Sequence, residues 1–327
     1  MLAMILEERK SPLRAVDIPR REPGPGQIEI EVRACAVCRT DLHIVDGELA
    51  GAPLPITPGH QIVGRVSALG TGAHEHRIGY RVGVPWLGWT CGVCRYCTSG
   101  RENLCAQARF TGYEIPGGYA EYTVADERFC LPLPDSYSDI DAAPLLCGGL
   151  IGFRAWQMAG EAQTIGFYGF GSAAHILLQI ARADGRSVFA FTRAGDRASQ
   201  ELAMSLGASW AGASDETPPE PLEAAIIFAP VGALVPQALG SLAPGGSVIC
   251  AGIHMSDIPR FPYSLLWKER SVRSVANLTR QDGHLFFERL RTISIRPHVT
   301  TFPLREANNA LRKLRDGEIE GSAVLTT

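Results

Sequence analysis

The chain has 327 residues, 46% of them apolar and 20% charged, with a formal net charge of −3. That length accommodates two domains with separate cores, and the charge excludes the basic surface of a nucleic-acid binder. No apolar run reaches membrane-spanning length, and Met1–Lys10 lacks the basic-then-apolar order of a signal peptide, so the expected setting is the cytoplasm.

Pro23, Gly24, Pro25 and Gly26 form a turn-making run. Behind it, residues 27–34 alternate apolar and polar, which predicts a half-buried strand. Further strands are expected at 61–68 and 80–84. Short strands separated by Gly and Pro indicate a β-rich first domain. Cys35 and Cys38 make a C-x-x-C, but no thioredoxin-like βαβ pattern surrounds them. Cys35 therefore reads as structural.

Cys38 opens the stretch around which the chain is organised. With His60 and the distant Cys147 it supplies two thiols and one imidazole, a common ligand set for a zinc ion that keeps one position open. A ligating histidine usually donates its other N–H to a carboxylate, and Asp41 is the candidate partner for His60. Thr40 and His43 are candidates for a proton path leading outward.

Nine cysteines in a chain of this size without a signal point to metal binding rather than to disulfides. Cys91, Cys94 and Cys97 are spaced C-x2-C-x2-C, and Cys105 follows in the same loop, 91–105. Four thiolates there form a closed tetrahedral zinc site, which stabilises a lobe and does not catalyse. Thiolates also hold iron–sulfur clusters, which would colour the protein brown.

From Thr164 the pattern changes. Residues 164–168 read as a short buried strand, and an apolar stripe at Ile176, Leu177 and Ile180 predicts a helix. Between them Gly169, Gly171, Ser172, Ala173 and Ala174 read G-x-G-x-x-A, in the strand-to-helix setting of a dinucleotide site. Glycines there let the backbone approach a pyrophosphate, and the helix N-terminus stabilises its charge. The second strand, 188–192, ends in Thr192 and Arg193, with Arg197 following. An acid at this point bonds the adenosine ribose and repels a 2′-phosphate. A hydroxyl and a guanidinium favour NADP; the alternative is that Arg193 stacks on adenine and NAD is also accepted. Buried strands at 224–228 and 247–251 continue the alternation of strand and helix, which implies a parallel, doubly wound sheet. Residues 303–315 are expected to be helical and 323–325 to form a last strand.

The order Cys38-Arg39-Thr40-Asp41-Leu42-His43, then Gly59-His60, then Cys147-Gly148, resembles the zinc-dependent medium-chain alcohol dehydrogenases, and most of all their cinnamyl-alcohol-dehydrogenase-like branch. Gln61 departs from it, standing where the family often has Glu. The resemblance implies an α/β chain with a GroES-like β-rich catalytic domain, 1–147 and 276–327, around a Rossmann cofactor domain, 148–275. It implies zinc in both cysteine sites, two per chain. It implies reversible hydride transfer between an alcohol or aldehyde and a nicotinamide cofactor, the proton leaving through Thr40, a ribose hydroxyl and His43. It places Arg39 at the cofactor pyrophosphate, Val231 and Ile253 beside the nicotinamide, and Trp86 in the substrate pocket. It further implies a homodimer or homotetramer. Two rivals share the pattern: a zinc-free quinone reductase of the same fold, which the ligand set disfavours, and a zinc- and dinucleotide-binding redox sensor without turnover.

Overall fold

The computed structural model describes residues 1–49 and 51–327. The chain divides into two compact units. One comprises Met1–Cys147, Asn277–Thr292 and Arg296–Thr327; the other comprises Gly148–Ala276 and Ile293–Ile295. The short excursion of Ile293–Ile295 into the second unit has no signal in the sequence.

The first unit is built on a seven-stranded sheet. Its order runs Val299–Pro303, Ser322–Thr326, Gln27–Val37, Ile62–Leu69, Arg81–Val84 and Leu131–Pro132, and Tyr122–Asp126 also pairs with Gln27–Val37. All pairings are antiparallel except Val299–Pro303 with Ser322–Thr326. Ile28, Ile30 and Val32 point into the core, as their alternation requires. Glu29, on the opposite face, is buried as well. Arg20 binds its two oxygens at 3.0 and 2.5 Å, and the Ser67 hydroxyl donates at 2.6 Å. Covering chain, not pattern, buries Glu29, while Arg33 on the same face stays exposed. The expected helix over 303–315 begins later: Pro303 ends a strand, Leu304–Glu306 is a single tight turn, and the helix runs Ala307–Asp316.

Loop 91–105 carries two such turns, Cys97–Ser99 and Glu102–Leu104. The buried Glu102 carboxylate accepts from the backbone N–H of Arg280 at 3.0 Å and from its Nε at 3.2 Å. A carboxylate at the start of the helix Arg280–Arg289 also suits the positive end of its dipole. The loop is thereby tied to the chain's return into this unit.

The second unit is a six-stranded, wholly parallel sheet. Its order is Trp210–Ala213, Ser187–Thr192, Thr164–Tyr168, Leu222–Ile227, Leu242–Cys250 and Ser271–Ser274. Numbered along the chain within this unit, that is 3-2-1-4-5-6, the dinucleotide-binding order with its switch point beside the first strand. Ile165, Phe167, Ala190, Phe191 and Ile226 are fully buried, as strands covered on both faces must be. No helix among the described residues is long and apolar enough to cross a membrane.

Candidate metal and cofactor sites

Cys38 is the cap of the helix Arg39–Asp46. Asp41 turns back, and its Oδ2 accepts the backbone N–H of Cys38 at 2.9 Å. His60 follows Gly59, whose φ of +96° suits glycine alone. A Cβ at Gly59 would also lie 2.4 Å from the Tyr119 ring. Cys147 closes the short turn Ala143–Leu146. The Cys38 sulfur lies 3.3 Å from His60 Nε2 and 4.0 Å from the Cys147 sulfur. The three donor atoms fall within 4.8 Å of one another.

With Nε2 facing the sulfurs, His60 Nδ1 faces Asp41. The two atoms are 3.3 Å apart and both side chains are fully buried. The contact has ion-pair distance but lies outside hydrogen-bond geometry. Burial disfavours charge on His60, yet Asp41 and Cys38 outweigh it and push its pKa up to about 10. The surroundings therefore favour positive charge at this point. Two sulfurs and an imidazole nitrogen, an oriented carboxylate behind the imidazole, and a field that favours a cation together fit zinc with one position open.

The second cluster is local. The sulfurs of Cys91 and Cys97 are 3.9 Å apart, Cys94 and Cys97 3.6 Å, and Cys91 and Cys105 3.6 Å. All four fall within 4.8 Å. The backbone N–H groups of Val93 and Cys94 lower the Cys91 thiol to about 6, whereas burial pushes Cys97 up to about 11. Four thiols gathered in this way fit a closed zinc site.

Around the three-donor site stand expected groups and three that the sequence did not mark, Glu48, Phe110 and Tyr113. Thr40 and His43 lie in the helix after Cys38, both buried. His43 Nδ1 donates to the carboxylate of Glu48, which is 47% exposed. Trp86 is 6% exposed and packs edge-on against His60, with ring centres 5.0 Å apart. Its other neighbours are Phe110, stacked at 5.1 Å, and Tyr113, tilted at 5.7 Å. Arg39 is exposed at the first position of the helix.

In the second unit, Gly169 ends the first strand with φ +91°. A Cβ there would sit 2.9 Å from the Ala229 backbone nitrogen, whereas one on Gly171 would meet nothing within 4 Å. The first glycine is needed for the turn; the second leaves open room above the helix Ser172–Ala183, whose first turn carries Ser172 and Ala173. Thr192 ends the neighbouring strand but is buried. Its hydroxyl lies 3.1 Å from the Arg193 carbonyl and 3.3 Å from that of Gly212, and accepts from Gln200 Nε2 at 2.9 Å. Arg193 and Arg197 are exposed. Val231 and Ile253, 42% and 51% exposed, follow the carboxyl ends of two central strands.

A parallel 3-2-1-4-5-6 sheet with a glycine turn, carried with a β-rich unit holding two thiol clusters, defines a zinc- and dinucleotide-type oxidoreductase. Residues 24–135 match the alcohol dehydrogenase GroES-like domain. The probable alcohol dehydrogenase AdhA of Mycobacterium tuberculosis is 45% identical over 322 residues, 96% of this chain and 92% of that protein. A cinnamyl alcohol dehydrogenase of Sorghum bicolor has the same fold, with a TM-score of 0.91 at 22% identity over 99% of this chain and 97% of that one. The acetophenone reductase of Geotrichum candidum, solved with NAD, has a TM-score of 0.90 at 28% identity over 100% and 97%. The chain belongs to the zinc-type medium-chain alcohol dehydrogenase family.

Proposed function

We propose that the protein is an NADP-preferring alcohol dehydrogenase with two zinc ions per chain, interconverting an alcohol with its aldehyde or ketone. The observation that carries this reading is the convergence of Cys38, His60 and Cys147 on one point from three distant places in the chain. In it, those three residues hold the catalytic zinc, and Cys91, Cys94, Cys97 and Cys105 hold the structural one. The chemistry supplied by the bound groups is Lewis acidity toward the substrate oxygen, from zinc, and hydride acceptance, from nicotinamide. Asp41 orients His60 and sustains its basicity. Thr40 takes the substrate's proton, and His43 carries it on, with Glu48 holding Nδ1 and reaching solvent. Trp86 supplies an apolar wall beside His60. Gly169, Gly171, Ser172 and Ala173 hold the pyrophosphate, and Val231 and Ile253 flank the nicotinamide.

The cofactor preference rests on Thr192, Arg193 and Arg197. With the Thr192 hydroxyl already engaged by Gln200 and backbone carbonyls, its contribution is the absence of a carboxylate, and the exposed guanidinia supply the attraction. In Thr192→Asp/Arg193→Ala, kcat/KM with NADP should fall about 10–100-fold relative to NAD, the worth of one charge-assisted contact. The wild-type preference should weaken at high salt. A wild type that already prefers NAD would refute it.

A homodimer or homotetramer is part of the proposal. Ser271–Ser274 leaves an edge of the parallel sheet open, near the exposed Tyr263 and Trp267. The activity itself is tested by following cofactor reduction across aliphatic, benzylic and allylic alcohols, with metal content and sedimentation measured on the same sample. No turnover of any alcohol, with both metals present, would leave a binding protein rather than an enzyme.

A further inference from the structure

Tyr119 is fully buried, and its hydroxyl has no hydrogen-bond partner. Its segment runs against the one that delivers His60. Gly117 N–H donates to the Thr57 carbonyl at 2.7 Å, Gly118 to Gly59 at 2.9 Å, and Tyr119 to Pro58 at 3.0 Å. The ring fills the space that the missing Cβ of Gly59 leaves open. Asp41 is fully buried too. Its Oδ2 is taken by Cys38, while Oδ1, at 3.3 Å from His60 Nδ1, makes no hydrogen bond. One buried oxygen thus lacks a donor, and two buried groups, the Tyr119 hydroxyl and His60 Nδ1, lack an acceptor. Burial, and after it the charge of Asp41, hold the phenol well above its usual range. The two side chains flank the same turn, the Tyr119 ring packing against Gly59 and the Asp41 carboxylate facing His60.

We propose that Tyr119 is a positioning residue of the three-donor metal centre, its hydroxyl donating to Asp41 Oδ1 and so fixing the carboxylate that orients His60. Asp41 Oδ1, His60 Nδ1 and the Tyr119 hydroxyl are all buried without a partner; one carboxylate oxygen has the lone pairs to accept from both donors, and unpaired buried polar atoms of this kind call for an explanation. The inference rests on the assignment of Cys38, His60 and Cys147 as metal ligands. Partners behind a ligating histidine are worth about 10–100-fold in metal affinity, and Tyr119 stands one step further out, so about tenfold is expected.

The test is Tyr119→Phe in the whole enzyme, read by metal equivalents under chelator competition and by the visible spectrum after cobalt substitution. One of two metals should be held about tenfold more weakly, with a shifted cobalt band. The melt of the chelator-treated protein should stay cooperative and near that of wild type, since only one hydroxyl is removed from an otherwise unchanged core. On an Asp41→Asn background the same change should add little. Wild-type affinity and an unshifted band in Tyr119→Phe would overturn the positioning role while leaving the metal site intact. An equal loss on the Asp41→Asn background would also overturn it. A wild type that takes up a single metal, retained in Cys147→Ser, would overturn both.

Discussion

The two thiol clusters hold similar donors and differ in how the chain assembles them. Cys91, Cys94, Cys97 and Cys105 sit in one loop, where short turns bring the sulfurs together and backbone N–H groups lower Cys91. Cys38, His60 and Cys147 come from a helix cap, a glycine-led loop and the end of a separate turn. They meet because the sheet carries them to one place. The loop cluster closes on itself, with four protein donors. The assembled cluster offers three, and spends its surroundings on orientation, with Asp41 behind His60 and Trp86 beside it. A local site suits structure. A site gathered from afar can leave a position open and still hold its ligands still, because the core and not the loop fixes them.

Breaking one cluster at a time exposes that difference. Cys147→Ser should abolish turnover and remove one metal equivalent, while the loop metal and the melting temperature stay near wild type. Elemental analysis beside a thermal melt checks this, and loss of both metals would mean that the clusters are not independent. Thr40→Val keeps both ligand sets and removes only a hydroxyl. It should lower turnover by ~10²–10⁴-fold with metal content unchanged; unchanged kcat would remove Thr40 from the proton path. The smallest effect on chemistry is expected from Cys105→Ser. It should release the loop metal and lower the melting temperature, because the Glu102 anchor to Arg280 then hangs on an unclosed loop. Activity per folded molecule should hold.

The comparison also explains what was legible beforehand. The loop cluster and the glycine turn are short-range patterns, and each could be read from spacing and flanking periodicity. The same holds for the candidate ligands Cys38 and His60 with their neighbours Thr40, Asp41 and His43. Glu48 escaped notice because nothing in its spacing marks it; it matters only because Gly47, with φ +74°, turns the chain so that Glu48 meets His43. Tyr119 carries no mark in the sequence, and its place against Gly59 depends on the pairing of 117–119 with 57–59. The edge strands Trp210–Ala213 and Ser271–Ser274 were not anticipated, being four residues each with little apolar alternation.

By itself the sequence determined the two kinds of cysteine cluster, the strand–glycine–helix signature and the parallel character of the second unit's sheet. These depend on covalent spacing and on periodicities of two and 3.6 residues, which the chain carries wherever it goes. The tertiary structure alone decided that Glu29 is buried and neutralised by Arg20, that Thr192 turns its hydroxyl inward to Gln200, and that the buried Asp41 carboxylate faces His60. Each of these joins residues whose separation along the chain says nothing of their distance in space. Each concerns a polar group taken out of water, whose energy depends on the partner that the fold supplies.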